Sequence, residues 1–440
     1  MSLFSFKPLI SVLATVALLT ACGGSGQSAS PPVGGLSLEA GEAGVTVTWT
    51  AVSGVEYWLY GAPNATICKN CGTNDWKTIT GAFSRGQSND PITSPYFMAG
   101  LTNDSVYAFI MDGRINGGPG GVATPSVSTT PRLAGEYWYA NSVIGSGGIK
   151  GLAFGPTLDT TTNTYAKTGT YLGLGANGAK YQSTDGANWS SIAGTDTTSW
   201  LNASYALNKF IGVGANGAVT YSTDLKTWTV GSSGVAQNLN ALASNGSIVV
   251  AVGDNGTIVR SSDAASWTAA TFTPSTQPLY GVSYTANGIW VAVGAAGTLL
   301  TSSDAATWTA VNTGTTTDLK GVASFSNVVT LNGVASTVYS TAVVGSNGTV
   351  LQSADGSTWT HPDARTSAHL NAIVASSGVL PSNQFVAVGD SGVAFTSPDG
   401  LNWTARTTHT SQNLTHVIRT TAPQNRYLAL GADSSTVYTK

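Results

Sequence analysis

Charge is what this sequence has least of. Of 440 residues only 9% are Asp, Glu, Lys or Arg, against about 25% in an average soluble domain. Such scarcity accompanies either membrane proteins or all-β secreted ones. After the first twenty or so residues no apolar run is long enough to cross a bilayer, which leaves the second class. The formal net charge of −3 contains no basic cluster, and this argues against nucleic acid as a partner. Cysteine is nearly missing, with three residues, and the four histidines all fall between His361 and His416 without metal-ligand spacing. Neither a metal nor any other cofactor is expected. Nucleophile elbows, phosphate-cradling loops and dinucleotide fingerprints are missing as well. Aromatic residues are plentiful: 12 Trp, 16 Tyr and 11 Phe supply enough apolar surface to exclude a disordered chain.

The first 22 residues have the layout of an export signal, with Lys7 as the positive start and Pro8 to Leu19 as the apolar stretch. Leu19-Thr20-Ala21-Cys22 resembles the lipobox of bacterial lipoproteins. That resemblance implies cleavage after residue 21 and a lipid anchor on Cys22. With Gly23 in place of Asp, it also implies the outer membrane of the cell envelope, periplasmic or surface-facing. The alternative is a plain secretory signal that happens to contain Cys. Residues 22–33, rich in Gly, Ser and Pro, are expected to be a flexible linker. Outside the cytoplasm Cys68 and Cys71 are expected to close a small disulfide loop. A redox CxxC would sit at a helix start, and a zinc site would need a second ligand pair.

Residues 34–131 contain alternating runs such as Val45-Thr46-Val47-Thr48-Trp49 and Val55 to Tyr60, the period-two pattern of half-buried strands. Leu101 lies six residues before Tyr107 inside a late strand signal. This segment resembles the fibronectin type III module, a β-sandwich in which an early strand carries a core Trp (here Trp49). In that module a Leu and a corner Tyr (here Leu101 and Tyr107) open a late strand. The resemblance implies a spacer role, and no polar cluster in the segment argues otherwise.

Internal repeats organise residues 132–440. A Gly-x-x-Gly loop recurs at Gly175, Gly214, Gly253, Gly294, Gly345 and Gly389, with a degraded copy at Gly431; the spacings are 39, 39, 41, 51, 44 and 42. A Ser-x-Asp-x-x-x-Trp motif follows all but the last. It supplies Asp185 and Trp189, Asp224 and Trp228, Asp263 and Trp267, Asp304 and Trp308, Asp355 and Trp359, and Asp399 and Trp403. Repeats of about 40 residues with four short strand signals each mark a β-propeller. The motif resembles the Asp-box, or BNR, repeat of sialidases, certain glucanases and photosystem II assembly factors, one residue shorter than its commonest form. Chemically it is a turn clamp: the carboxylate and the Ser hydroxyl accept backbone N–H groups, and the Trp packs between sheets. One carboxylate per box is too few to bind calcium. Blade seven has three strand signals, and Glu136-Tyr137-Trp138-Tyr139 can supply its fourth. The expectation is therefore an all-β chain: a fibronectin type III-like β-sandwich, then a seven-bladed β-propeller closed by pairing of its N- and C-terminal strands. A six-bladed ring is the alternative.

By propeller analogy the Gly-rich loops and the connections into the inner strands share one face, with the Asp boxes on the other. On that loop face Lys150, Asn202, Asn240, Tyr280, Lys320, Asn371 and Thr415 are expected to ring the channel mouth, with Trp200 nearby. Amides with aromatics suit a protein or glycan partner. Five arginines follow the start of this unit (Arg260, Arg365, Arg406, Arg419 and Arg426), but their repeat positions differ, and Glu136 is its only Glu. A sialidase-like set of three converging arginines with a Tyr–Glu pair is therefore not assembled. Asp318 and Asp363 are the nearest approach to a glycosidase pair. The reading that follows is a lipid-anchored, non-catalytic binding or assembly scaffold. The alternatives are a carbohydrate-active enzyme on the same ring, or a structural envelope protein.

Overall fold

A computed structural model describes residues 26–41, 43–63, 79–86, 91–132, 135–145, 148–166, 168–271, 273–331, 334–364, 366–376, 384–420 and 426–439. Cys22 and its lipobox, Cys68, Cys71 and Arg365 lie outside them. The described chain is strand and turn, with six single-turn 3₁₀ segments; no helix among the described residues is long and apolar enough to cross a membrane.

Nine strands precede the repeats: β1 (Gln27–Ala29), β2 (Val33–Gly41), β3 (Gly44–Thr50), β4 (Glu56–Pro63), β5 (Phe83–Arg85), β6 (Tyr96–Ala99), β7 (Tyr107–Ile115), β8 (Val127–Thr129) and β9 (Trp138–Val143). One sheet runs β1-β7-β4-β5 with β8 also on β7, and a second runs β2-β3-β6. Alternation places Val45, Val47 and Trp49 on the buried side of β3, where they share a core with Leu59, Tyr107 and Phe109 of the facing sheet. The Tyr107 hydroxyl accepts the Thr102 N–H at 3.1 Å, tying the turn that begins at Leu101. Two details differ from the sequence reading. Gln27–Ala29 is an ordered strand paired to Gly113–Ile115, not flexible linker, because the open edge of β7 offers unmet backbone partners. A buried polar cluster also exists. Asp112 is fully buried, Arg114 approaches its Oδ2 at 3.2 Å, and Arg114 donates to the Tyr60 hydroxyl at 2.9 Å. Burial, then the Asp112 charge, pushes Tyr60 up to about 12.

Seven antiparallel sheets follow, with inner strands Ile149–Gly155, Trp200–Ala206, Leu239–Ser244, Leu279–Tyr284, Leu319–Leu331, Leu370–Ala375 and Leu414–Arg419. Six contain four strands. The fifth contains three, with an isolated bridge between Gln352 and Thr360 beyond them. The seventh is completed by β9, whose Tyr139 and Trp138 oppose Tyr438 and Thr439. Sequence expectation started that strand at Glu136; it starts at Trp138, because Glu136 turns aside to meet Arg406 at 3.2 Å. Each inner strand packs against the next, and the first packs against the seventh. Apolar side chains fill each sheet-to-sheet gap, as with Val250, Val252, Trp290, Leu300 and Trp308 between the third and fourth.

Candidate functional site

Each Ser-x-Asp-x-x-x-Trp box folds the same way. In the first, Ser183 Oγ donates to Asp185 Oδ1 at 2.9 Å and accepts the Gly186 N–H at 2.9 Å. The same Oδ1 accepts the Ala187 and Asn188 N–H groups at 2.8 Å. Asp224, Asp263, Asp304, Asp355 and Asp399 repeat the pair of backbone bonds. Burial alone would raise the Asp185 carboxyl, but the Asn188 and Ala187 hydrogen bonds outweigh it and hold the group at about 2. Trp267, Trp308 and Trp403 are buried, and Trp189, Trp228 and Trp359 half-buried.

The boxes also join neighbouring sheets. The backbone carbonyl of a box Asp accepts a side-chain donor from the preceding sheet: Lys209 to Asp263 at 2.6 Å, Arg260 to Asp304 at 3.0 Å, Asn287 to Asp355 at 3.2 Å and Ser340 to Asp399 at 2.7 Å. Arg426 of the seventh sheet does the same for Asp185 of the first. The Leu158 N–H serves the second box through the Thr223 carbonyl at 2.8 Å. Where the seventh sheet lacks a box, the Arg406–Glu136 pair stands in. Arg260, Arg406 and Arg426 are thus inter-sheet ties and do not converge on a substrate carboxylate.

At the opposite end of the inner strands the Gly-x-x-Gly loops bind the segments that lead into them. The amides of Asn216, Ala296, Asn347 and Ser391 donate to Asn238 Oδ1, Asp318 Oδ1, His369 Nδ1 and Asn413 Oδ1 of the next sheet at 2.9–3.1 Å. Every inner strand then carries a bulge after its first residue. The bulged residues are Lys150, Leu201, Asn240, Tyr280, Lys320, Asn371 and Thr415. Here the sequence register was one residue off in the second sheet. Trp200 and Leu201 are both apolar, and Trp200 opposes Gly214 in the place that Ile149, Leu239 and Leu279 occupy elsewhere. Asn202 therefore belongs to the next row, Gly151, Asn202, Ala241, Gly281, Gly321, Ala372 and His416. Trp200 is no ligand platform either. It is buried in the core, and its indole N–H donates to Asp196 at 2.9 Å.

These rows line a channel of ≈ 390 Å³ between the inner strands, bounded by Asn202, Asn240, Tyr280, Lys320, Asn371, Thr415 and His416 near one end and by Tyr205 and Arg419 farther in. Lys150 is exposed beside it. Several wall residues are already committed. Asn240 Nδ2 donates to the Leu279 carbonyl at 3.0 Å and to Asp254 at 2.9 Å; Asn371 Nδ2 donates to the Leu414 carbonyl at 3.0 Å and to Asp390 at 2.8 Å. Thr415 Oγ1 donates to the Leu430 carbonyl at 3.3 Å. Lys320 lies 3.9 Å from the centre of the Tyr280 ring and 3.1 Å from Asp318. Burial, then Asp318 and Asp254, raises the Tyr280 hydroxyl. The Ala296 N–H and Lys320 hold Asp318 below the usual carboxylate range, so it is ionised at neutral pH and unsuited to be a general acid. Among the described residues no cluster of three or more His, Cys, Asp or Glu could hold a metal ion. Sequence reading missed His416, although aligning the apolar residue that opens each inner strand exposes it as a large side chain in a row of Gly and Ala.

The chain matches no protein-family model and no curated protein. Solved structures do resemble it. The structure "YCF48 bound to D1 peptide" superposes with a TM-score of 0.52 at 15% identity, covering 71% of this chain and 99% of that one. Virginiamycin B lyase from Staphylococcus aureus gives 0.52 at 10% identity, over 69% of this chain and 99% of that one. A chain of the mitotic checkpoint complex gives 0.51 at 11%, over 70% and 91%. At such identities the likeness shows the fold alone: the chain contains a β-propeller.

Proposed function

We propose that this chain is a non-catalytic binding or assembly scaffold whose propeller engages a protein partner through the loop face and channel mouth. In this reading the seven sheets are the blades of a ring closed by β9, and residues 34–131 form a fibronectin type III-like spacer. The observation that carries it is the bulge row: five of its seven residues, Asn240, Tyr280, Lys320, Asn371 and Thr415, line one opening and are polar or aromatic, and a sixth, Lys150, is exposed. The D1 peptide bound to YCF48, a propeller of similar fold, supports a protein partner. Asp318 and Asp363 supply no observation in favour of glycoside hydrolysis.

Lipidation at Cys22 and residence in the bacterial cell envelope, at the outer membrane, belong to the same proposal and rest on the sequence of residues 1–22. A Cys68–Cys71 disulfide in the spacer belongs with them. The test is capture from detergent-solubilised envelope with the wild-type chain and with Lys150→Ala/Tyr280→Ala/Lys320→Ala. The triple variant should melt as the wild type does and retain less partner. Equal capture by both would remove this face from consideration.

A further inference from the structure

Four Gly-x-x-Gly loops give the amide of their third residue to a side chain of the next sheet, and the four acceptors are not alike. Asn216 and Ser391 donate to the amide oxygens of Asn238 and Asn413 at 3.0 and 2.9 Å, and Ala296 donates to the Asp318 carboxylate at 3.1 Å. Asn347 donates instead to a ring nitrogen, His369 Nδ1, at 3.0 Å. An amide oxygen accepts at any pH. The Asp318 carboxyl is held below the usual carboxylate range, so it too accepts through neutral and mildly acid conditions. An imidazole nitrogen accepts only while it carries no proton. The bond to Asn347 therefore belongs to the neutral ring with its proton on Nε2. In the imidazolium both nitrogens are donors, and one N–H would face another.

Protons reach this ring from solvent, because His369 is exposed. The loop it holds, Gly345-Ser346-Asn347-Gly348, has no ionisable side chain. Beside the loop, in the segment that leads into the fifth inner strand, Asp318 feels the His369 charge and is paired with Lys320 at 3.1 Å. From the sixth sheet, Asp390 gives its N–H to the His369 carbonyl at 2.9 Å, while its carboxylate accepts the Asn371 amide at 2.8 Å. An imidazolium at this place thus loses a bond to the loop and keeps a carboxylate, Asp318, within reach of its charge. Three backbone bonds hold the loop without it: Gly345 N–H to the Thr349 carbonyl at 2.9 Å, Ser346 N–H to that of Asp318 at 2.9 Å and Gly348 N–H to that of Ala368 at 2.8 Å. Protonation therefore acts on one clamp and leaves the sheets alone.

We propose that His369 is a pH-operated clamp on the loop face. The neutral ring holds the Asn347 amide. The protonated ring releases it and turns its charge toward Asp318, the carboxylate that holds Lys320 beside Tyr280 at the channel mouth. Acid thus frees one backbone donor and adds one positive charge beside the opening, in the range between about pH 8 and pH 5 where histidine alone among unperturbed side chains changes charge. The other three clamps stay closed over that range. The device is a property of the free chain and its test needs no partner, so it stands or falls apart from the binding role.

The experiment follows the backbone amides of the full chain, ¹⁵N-labelled at asparagine, by NMR from about pH 8 to about pH 5. Asn216 occupies the same loop position with an Asn238 acceptor and is the internal reference. The Asn347 amide proton should leave its hydrogen-bonded position as the pH falls, while Asn216 stays in place. Its hydrogen-exchange rate relative to that of Asn216 should rise about fivefold, the loss of one hydrogen bond; the ratio removes the pH dependence that exchange has in any amide. His369→Asn supplies the acceptor used in two other clamps and should keep Asn347 bonded at both pH values. His369→Ala should show the released amide at both. An Asn347 signal that follows Asn216 throughout overturns the proposal. So does a pH response that survives in His369→Asn, or an Asn347 amide in His369→Ala that matches the wild type at the higher pH.

Discussion

Repetition makes the Asp-box carboxylate the most legible residue of the chain. A Ser and an Asp two apart, six times over, can satisfy their own turn, and every described copy does so with the same two N–H bonds. The consequence is a pH dependence whose sign can be worked out. Asp185 and Asp196 are held at about 2, and Asp224, Asp263, Asp304, Asp355 and Asp399 are also lowered. A carboxyl depressed by folding contributes stability that is complete above its unfolded value near 4 and vanishes as pH falls through the folded value. The melting temperature should therefore hold steady at neutral pH and fall between about pH 4 and 2. Asp185→Asn should lower the neutral-pH plateau by about 1 kcal/mol and make the acid slope shallower; urea unfolding across that range measures both. The residue least legible was Asn202. Two adjacent apolar residues, Trp200 and Leu201, each fit the start of the strand, and only the pairing of Trp200 with Gly214 decides between them. A pattern with two equally good anchors carries no register. The Asn202–His416 contact was out of reach for another reason: it joins residues 214 positions apart, and nothing local announces it.

Among the elements the fifth sheet departs from the others. In the fourth, the inner hairpin closes after Tyr284 pairs with Trp290. In the fifth, the equivalent pair is Ser324 with Thr341, and pairing continues to Leu331 and Val334. The third strand, Val350–Ser353, follows only as far as Thr341, so the added ladder is a two-stranded ribbon beyond the sheet. The 51-residue spacing marked an insertion there, but a period gives its length and not its form. Phe325 is the last side chain of the extension in the core, packed on Phe385 with ring centres 4.5 Å apart. Beyond it Val328 and Val338 are 71% and 47% exposed, and solvent-facing substitutions of this kind usually stay within about 0.5 kcal/mol. Replacing residues 328–337 with a Gly-Gly turn should thus leave the thermal midpoint of the repeats unchanged, as differential scanning calorimetry would report. A fall of several degrees would mean that the ribbon packs on something. The converse surprise lay at the other end of the chain, where a Gly- and Ser-rich stretch contained a strand. Composition measures how little a segment holds itself in place, and Gln27–Ala29 is held by the vacant edge of β7.

For the molecule as a whole, the ties around the Asp-box face matter more than any single sheet. Six junctions use a box carbonyl or the residue beside it, and the junction without a box uses Arg406 and Glu136. This pair is half-buried, and a single ion pair near the surface contributes about 1 kcal/mol, so this last junction needs another source of strength. Trp138 provides it: only 1% exposed, it donates its indole N–H to the Gly135 carbonyl at 2.9 Å and packs among Val386, Val388, Leu414 and Tyr427. Those partners belong to the sixth and seventh sheets, while its backbone pairs with Thr439 near the other end of the chain. One side chain thus fastens β9, and β9 covers the edge of Ser435–Thr439. Trp138→Ala should cost about 3–5 kcal/mol, the range for truncating a buried aromatic. Trp359→Ala should cost less, because Trp359 is only half-buried and closes no seam. The variants should differ in kind as well. Releasing β9 bares the edge of Ser435–Thr439, and an open edge recruits other chains, so Trp138→Ala should self-associate as protein concentration rises while Trp359→Ala keeps the association state of the wild type. Sedimentation velocity over a concentration series separates the two. Identical behaviour would mean that β9 is not what protects the edge of Ser435–Thr439.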